Sequence, residues 1–263
     1  MIKRPTILTI AGHDPTGGAG IHADIETINN LGGHCCSIIT ALTVQNSENL
    51  YGFEPVSTEL IYRQFHYLVK DFEINAIKIG LIGNASLVGT IVELLNKVPD
   101  IPVILDPILS AGGGTSVSNN DFIDKLKNQL LPHIDLITPN IPEAQKLANA
   151  ETPDECATKL LEQGCKNVLI TGTHEDDDKN VIHRLYSHNS EKLELKCSRL
   201  PHEYHGSGCT LSSSISYFLA SKHSLTNSVK LAQEYTFNAL QSADKPGHGQ
   251  YFPIRNQHHH DDD

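Results

Sequence analysis

Apolar residues along this chain follow two rhythms. Short unbroken runs of isoleucine, leucine and valine alternate with longer segments in which apolar residues recur every third or fourth position. The first rhythm marks buried strands and the second amphipathic helices. Strands are expected at 6–11, 37–42, 76–82, 103–106, 135–138 and 167–172. A glycine-rich turn at 12–20 leads into a helix with Ile21, Ile25 and Ile28 on one face, ending near Gly32-Gly33. Further helices are expected from Ser57 through Ile61, Phe65 and Leu68, and at 85–95, 121–131, 141–148 and 154–163. Residues 184–187 and 193–199 break the alternation and read as antiparallel strands, and helices at 210–221 and 225–242 follow. Strand and helix otherwise alternate, which predicts a mostly parallel sheet with helices on both faces. The loops at 12–20, 44–47, 106–115, 138–143 and 172–178 all follow strands, so they would share the edge where such folds bind ligands. The stretch 109–120, with its glycines and serines, reads as a loop and a candidate flap, and the acidic run 175–178 as a turn.

Composition narrows the picture. With 263 residues and 39% apolar content, the chain suits one large domain, placed at 1–256, better than two small ones. The tail 257–263, three histidines and then three aspartates within it, is expected to be disordered and outside the fold. A net charge of −11 implies neither a nucleic-acid nor an anionic-membrane partner. A phosphate ligand would therefore rely on local donors. No apolar run approaches the roughly 18 residues of a membrane span, and residues 1–5 lack the apolar core of a signal peptide. The chain is expected to be cytoplasmic, and there its six scattered cysteines, without metal-ligand spacing, read as reduced thiols. Fifteen histidines form no His-x-x-x-His cluster outside the tail, so a structural zinc site is not expected.

The densest candidate chemistry lies in the run from His205 to Ser214. Gly206-Ser207-Gly208 precedes Cys209 at what reads as a helix start. Glycines let amides approach an anion, and a helix N-terminus supplies unpaired N–H donors and a partial positive charge. A cysteine there would have its thiolate stabilised by the same field. A glycine-rich turn before a buried helix with an inert thiol is the plainer reading. The turn from Ala11-Gly12-His13-Asp14 to Gly20 matches neither a dinucleotide fingerprint nor a P-loop, but it can wall a flat ligand. Asp24, one helical turn later, can bond a ligand or simply favour the helix dipole. Gln45 offers an amide donor and acceptor side by side, suited to a heterocycle edge or to a turn. Asp106 ends a strand before Pro107. Asn140 and Glu143 have the spacing of a helix capping box and equally suit Mg²⁺, which takes one or two carboxylates and keeps several waters.

Taken in order, these stretches resemble the hydroxymethylpyrimidine/phosphomethylpyrimidine kinases of thiamine biosynthesis, a branch of the ribokinase-like superfamily. The resemblance spans residues 5–255 and rests on 11–24, 40–46, 78–81, 105–107, 138–143 and 206–212. It implies a three-layer α/β/α sandwich with a mostly parallel sheet and a small antiparallel edge. It also implies phosphoryl transfer from ATP with Mg²⁺ to an aminopyrimidine alcohol and then to its monophosphate. A monovalent cation is left open, and a homo-oligomer, commonly a dimer, is expected. On this reading Gly12, Asp24, Gln45, Leu81 and Ile108 surround the pyrimidine. Asp106, Asn140 and Glu143 serve Mg²⁺ and phosphate, and Thr138, Thr171 and Gly172 serve the nucleotide. Gly206, Ser207 and Gly208 form the anion hole, with Cys209 where sugar-kinase relatives carry an aspartate base. The chain departs from the family pattern twice, at His13 and at Thr171, where many members carry a lysine. Two other readings stand beside this one: a pyridoxal or pyridoxine kinase of the same superfamily, and a catalytically silent pyrimidine binder.

Overall fold

The computed structural model of the chain describes residues 4–256, apart from 112–114, 117–118, 174–176, 178 and 189. The candidate flap and the acidic run are thus described only in part, and the tail 257–263 lies outside the described residues.

The apolar runs form the centre of the molecule. Strand β1 (Thr6–His13) buries every residue but its last. Helix α1 (Gly20–Asn30) returns to β2 (His34–Gln45), which pairs antiparallel with β3 (Leu50–Pro55). Then follow α2 (Thr58–Asp71), β4 (Ala76–Ile79), α3 (Ala85–Leu95) and β5 (Val103–Leu105). A small hairpin, β6 (Ser110–Ala111) and β7 (Thr115–Ser116), lies apart from the main sheet. The chain continues through α4 (Asn120–Lys125), β8 (Leu136–Ile137), α5 (Ile141–Ala148), α6 (Pro153–Glu162) and β9 (Asn167–Ile170). It closes with β10 (Asn180–Ser187), β11 (Leu193–Ser198), α7 (Ser207–Ala220) and α8 (Leu225–Gln241).

The main sheet has the order β11-β10-β9-β8-β5-β4-β1-β2-β3. Its six inner strands run parallel. Antiparallel strands flank both edges, not one: β3 on one side and the β10–β11 pair on the other. The two-residue period of a strand divides the core. Val103 and Leu105 of β5 face the layer of α2 to α6, while Ile104 between them faces α1, α7 and α8. This is the expected three-layer sandwich, and each layer buries its own apolar cluster.

Several boundaries differ from the expectation. β2 runs on to Gln45, so that residue ends a strand instead of opening a loop. β3 was not expected, because Gly52 and Pro55 interrupt its pattern; both are tolerated in an edge strand. The single helix expected at 121–131 is α4 followed by a π-helical turn, Leu126–Leu130, and a 3₁₀ turn, Leu131–His133, where Pro132 cannot donate an amide. α7 starts at Ser207, three residues early, because Gly206 takes the left-handed conformation (φ 80°) as its N-cap. The sheet order reverses direction at β1. To one side the chain proceeds to β2 and β3, and to the other lie β4 and β5. That switch point opens a crevice at the carboxyl ends of the strands.

Candidate active site

Two cavities meet over this crevice. The smaller, about 200 Å³, is walled by Gly12, Gln45, Leu81, Ile108 and Cys209, with Asp14 and His205 at its side. The larger, about 580 Å³, is walled by Thr138, Asn140, Glu143 and Thr171, together with His183 and Arg199. Asp106, Ser207 and Gly208 line both. Of the residues expected to act, nearly all therefore gather on one edge of the sheet. Gly172 lines neither cavity, but its N–H donates to His183 Nδ1 at 3.4 Å, on the wall of the larger one.

Local sequence explains the small cavity. β1 ends in a register shift against β2 between Ala11 and His13. Gly12, at that irregularity, lies so close to Leu81 that an added Cβ would stand 2.8 Å from its Cδ2. The glycine-rich turn is wound around Asp14, whose carboxylate accepts from Thr16 N and Thr16 Oγ1 at 2.8 Å and Ala19 N at 2.9 Å. It also lies 2.7 Å from His205 Nε2. Burial alone would raise the Asp14 pKa; the bonds from His205 and Thr16 outweigh it and hold it down at about 2. Asp14 thus ties the β1–α1 turn to the residue ahead of α7.

The anion turn is built as its sequence suggests. Gly206, Ser207, Gly208 and Cys209 are the N-cap and first turn of α7, with their amides ahead of the helix bonds. The Asp106 carboxylate lies over Gly208, where an added Cβ would stand 3.6 Å from its Oδ2, and Ser212 Oγ donates to Asp106 at 3.4 Å. The Cys209 side chain is buried, on the wall of the smaller cavity with Gly20 and Asp106.

The sequence predicts a lowered thiol pKa at Cys209. Instead, burial pushes it up to about 12; Lys78 opposes this, while the Asp106 and Asp24 carboxylates add to it. The helix terminus does not overcome desolvation beside two acids. In the ligand-free protein Cys209 is a thiol.

The expectation for Asp24 is also corrected. Its side chain is fully buried beneath the site and does not line the cavity. Lys78 Nζ bonds both its oxygens, at 2.8 and 3.0 Å, and Ser213 Oγ donates at 2.6 Å. Sequence reasoning quoted Lys78 only as part of a motif. Its signal was a lone cation inside the buried run Ala76-Ile77-Lys78-Ile79, which demands a buried partner.

Glu143 fulfils both readings of its spacing. Its N–H and carboxylate form the capping box with Asn140, at 2.9 and 3.0 Å. The carboxylate also faces the larger cavity. Burial, and then the neighbouring Asp106 charge, push its pKa up to about 8, against amide bonds from Asn140 and Leu109. Among the described residues no group of three or more His, Cys, Asp or Glu could hold a metal ion. Two carboxyls, both with raised pKa, on the wall of the larger cavity nevertheless fit Mg²⁺, which takes few protein ligands and completes its shell with phosphate and water.

His183, buried in the larger cavity's wall, is kept neutral, with burial lowering its pKa to about 4. Thr171, where many members of the resembling family carry lysine, bonds Pro139 O and brings no charge. Arg199 stands on the same wall, its guanidinium donating to the carbonyls of Thr173, Asp177 and Asn180. Among the described residues no helix is long and apolar enough to cross a membrane.

Comparison with known proteins places this geometry. A family model described as phosphomethylpyrimidine kinase matches residues 14–255. The chain is 35% identical over 243 residues to the hydroxymethylpyrimidine/phosphomethylpyrimidine kinase of Haemophilus influenzae, covering 89% of this chain and 90% of that one. Some curated relatives are about twice as long; the chain spans 48% of one and 51% of another. The crystal structure of phosphomethylpyrimidine kinase from Clostridium difficile 630 superposes with a TM-score of 0.78 at 31% identity, covering 90% of this chain and all of that one. The pyridoxal kinase of Staphylococcus aureus superposes with a TM-score of 0.88 over 98% of this chain and 96% of its own, at 21% identity, a likeness of fold.

Proposed function

Because the chain belongs to the phosphomethylpyrimidine kinase family, we propose that it phosphorylates 4-amino-5-hydroxymethyl-2-methylpyrimidine with ATP, and then the monophosphate to the diphosphate, in thiamine biosynthesis. The observation that carries the reading is the shared wall. Asp106, Ser207 and Gly208 face a cavity fit for one ring and a cavity fit for a nucleotide. A phosphoryl group passing between the two would cross the N-terminus of α7.

Phosphoryl transfer needs alignment and charge neutralisation more than covalent work. Gln45 presents its amide to the aminopyrimidine edge, while Leu81 and Ile108 pack the ring and exclude water. The amides of Ser207, Gly208 and Cys209 bind the equatorial oxygens of the transferring group, where charge accumulates. Asp106 and Glu143, with Asn140 holding Glu143 in place, would bind Mg²⁺, which supplies neutralisation of the β- and γ-phosphate charge. Thr138 and Thr171 border the nucleotide, Gly172 stands behind them bonded to His183, and Arg199 brings a permanent cation to that wall.

The hydroxymethyl oxygen attacks the γ-phosphorus, the bond to the ADP oxygen breaks, and the hydroxyl proton must leave. Cys209 faces that alcohol. Its thiol is held protonated partly by Asp106. Burial is the larger cause and Asp24 adds to it, while Lys78 opposes both; cancelling the Asp106 charge would therefore lower the thiol pKa only in part and bring Cys209 nearer to accepting the proton. We place this enzyme in the cytoplasm as a homo-oligomer acting on small molecules, without a nucleic-acid or membrane partner.

The test is product mass after incubation with the aminopyrimidine alcohol, ATP and Mg²⁺, with pyridoxal run in parallel. One and two added phosphates are expected. A higher kcat/KM for pyridoxal would reject the pyrimidine assignment in favour of the fold neighbour's substrate. Calorimetric binding of the pyrimidine with no ADP released over hours would instead mark a silent binder.

A further inference from the structure

Arg255 is almost wholly buried, 2% exposed, yet its side chain plays no part in the chemistry described above. It ends a segment, 244–255, that runs back across the site. Gly249 N–H and Gln250 N–H donate to Ser47 in the β2–β3 turn, both at 3.0 Å, and His205 N–H donates to Tyr251 O at 2.9 Å. At the end of this strap the guanidinium forks between three elements. Nη2 donates to Gly18 O at 2.5 Å, Nε to Thr210 Oγ1 at 2.9 Å, and Nη1 to Glu26 Oε2 at 2.9 Å.

Two of those contacts bear directly on the anion turn. Thr210 Oγ1 in turn donates to Gly206 O at 2.9 Å, the carbonyl that opens α7. Gly18 O lies so near Gly206 that an added Cβ would stand 2.0 Å from it, and 2.8 Å from Arg255 Nη2. The glycine-rich β1–α1 turn and the 206–209 turn are therefore in backbone contact, with one guanidinium spanning the seam. Its charge adds to the positive end of the α7 dipole. The acid that answers it, Glu26, is 44% exposed on α1, so solvent screens that partner.

From this we infer that Arg255 is a positioning residue for phosphoryl transfer. It locks the two turns in register and adds a buried positive charge behind the amides that receive the transferring group. An anion in the turn relieves the repulsion between guanidinium and helix terminus, so the site is poised for a phosphoryl oxygen before one arrives. A planar fork with several donors is required, which lysine cannot reproduce. The inference rests on the 206–209 turn being the phosphoryl site.

The test compares wild type, Arg255→Met, Arg255→Lys and Glu26→Gln in steady-state turnover of the aminopyrimidine alcohol with ATP and Mg²⁺, with thermal midpoints measured alongside. Wild-type turnover is the control: its absence overturns the kinase reading itself. Arg255→Met should lower kcat about a hundredfold, the loss typical of one anion-hole donor, while KM for the pyrimidine stays within about threefold. Arg255→Lys should recover part of that loss by restoring charge alone. Glu26→Gln should lower the midpoint and leave kcat within about twofold, because the Gly18 and Thr210 bonds remain. A near-wild-type kcat in Arg255→Met, or an equal loss of kcat in Glu26→Gln, overturns the inference. If Arg255→Met does not fold, the pair Arg255→Lys and Glu26→Gln decides: loss in the first and not the second supports it, and any other pattern refutes it.

Discussion

Replacing Lys78 by methionine tests the buried charge layer on which the site stands. Lys78 and Asp24 are both fully buried and 2.8 Å apart. Burial alone would pull the ammonium pKa down; Asp24, helped by Cys209 and Asp106, reverses this and holds Lys78 charged. Methionine fills much the same space, so little of the expected effect comes from a cavity. What remains, among the described residues, is a buried carboxylate bonded by the Ser213 hydroxyl. Removing one member of a buried ion pair costs about 3–5 kcal/mol. For a chain of this size each kcal/mol lowers Tm by about 2–4 °C, so a fall of roughly 6–20 °C is expected in a thermal melt. The double variant Lys78→Met with Asp24→Asn removes both charges and should regain most of the loss, giving a coupling energy above about 2 kcal/mol. The same double variant tests the placement of Asp24 beneath the cavity: KM for the pyrimidine should stay near wild type, whatever happens to kcat. A single variant that melts within about 1 kcal/mol of wild type, or a double variant as unstable as the single, would refute the reasoning.

Three further outcomes follow from the site. With its pKa near 12, Cys209 should react with iodoacetamide at pH 8 roughly a thousandfold more slowly than free cysteine; rapid labelling by peptide mass would show that the thiol is not held protonated. Glu143→Gln should raise the Mg²⁺ concentration for half-maximal turnover about tenfold, whereas a change confined to Tm would leave the residue only its capping role. His183, neutral in the fold with a pKa near 4 against an ordinary 6.5, contributes stability present above about pH 6.5 and lost as pH falls through 4; His183→Phe should flatten that acid limb in melts from pH 7 to 4, and an unchanged limb would locate the acid sensitivity elsewhere.

The alternation of apolar runs and amphipathic segments was enough to read the layers, because the central strands β1, β4, β5 and β8 are buried on both faces while helices such as α2 and α5 bury one. The same signal fails at β3, an edge strand half in solvent that tolerates Gly52 and Pro55 and so carries no run. It also fails at the start of α7, where a left-handed Gly206, invisible to periodicity, sets the cap. In the site, residues that act through backbone or shape were legible: the glycine turns, the anion turn and the Asn140–Glu143 box. Residues whose state depends on distant partners were not. Asp24 reads as a first-turn acid until Lys78 arrives from 54 positions away, and Arg255 reads as an ordinary charge until it meets Gly18 across 237.

These partnerships explain how an acidic chain can host a polyanion. The polar residues on the inner side of α7 form a graded layer: Lys78, Asp24 and Ser213 sealed at the bottom, then Asp106, Ser212 and Cys209, then open amides at the turn. The bottom pair is matched in charge, so it contributes little net field. Asp106 and Glu143 above it are unmatched, and both carboxyls are pushed up by burial. Glu143 lines the larger cavity and Asp106 lines both, and the buried guanidinium of Arg255 lies behind the turn. On the proposed reading, a divalent cation arriving with the triphosphate would draw the protons off these raised carboxyls, and the Arg255 charge behind the turn would favour the terminal phosphoryl there. If the proposed roles hold, selection for the metal complex and alignment of the transferring group would arise from one arrangement of charges.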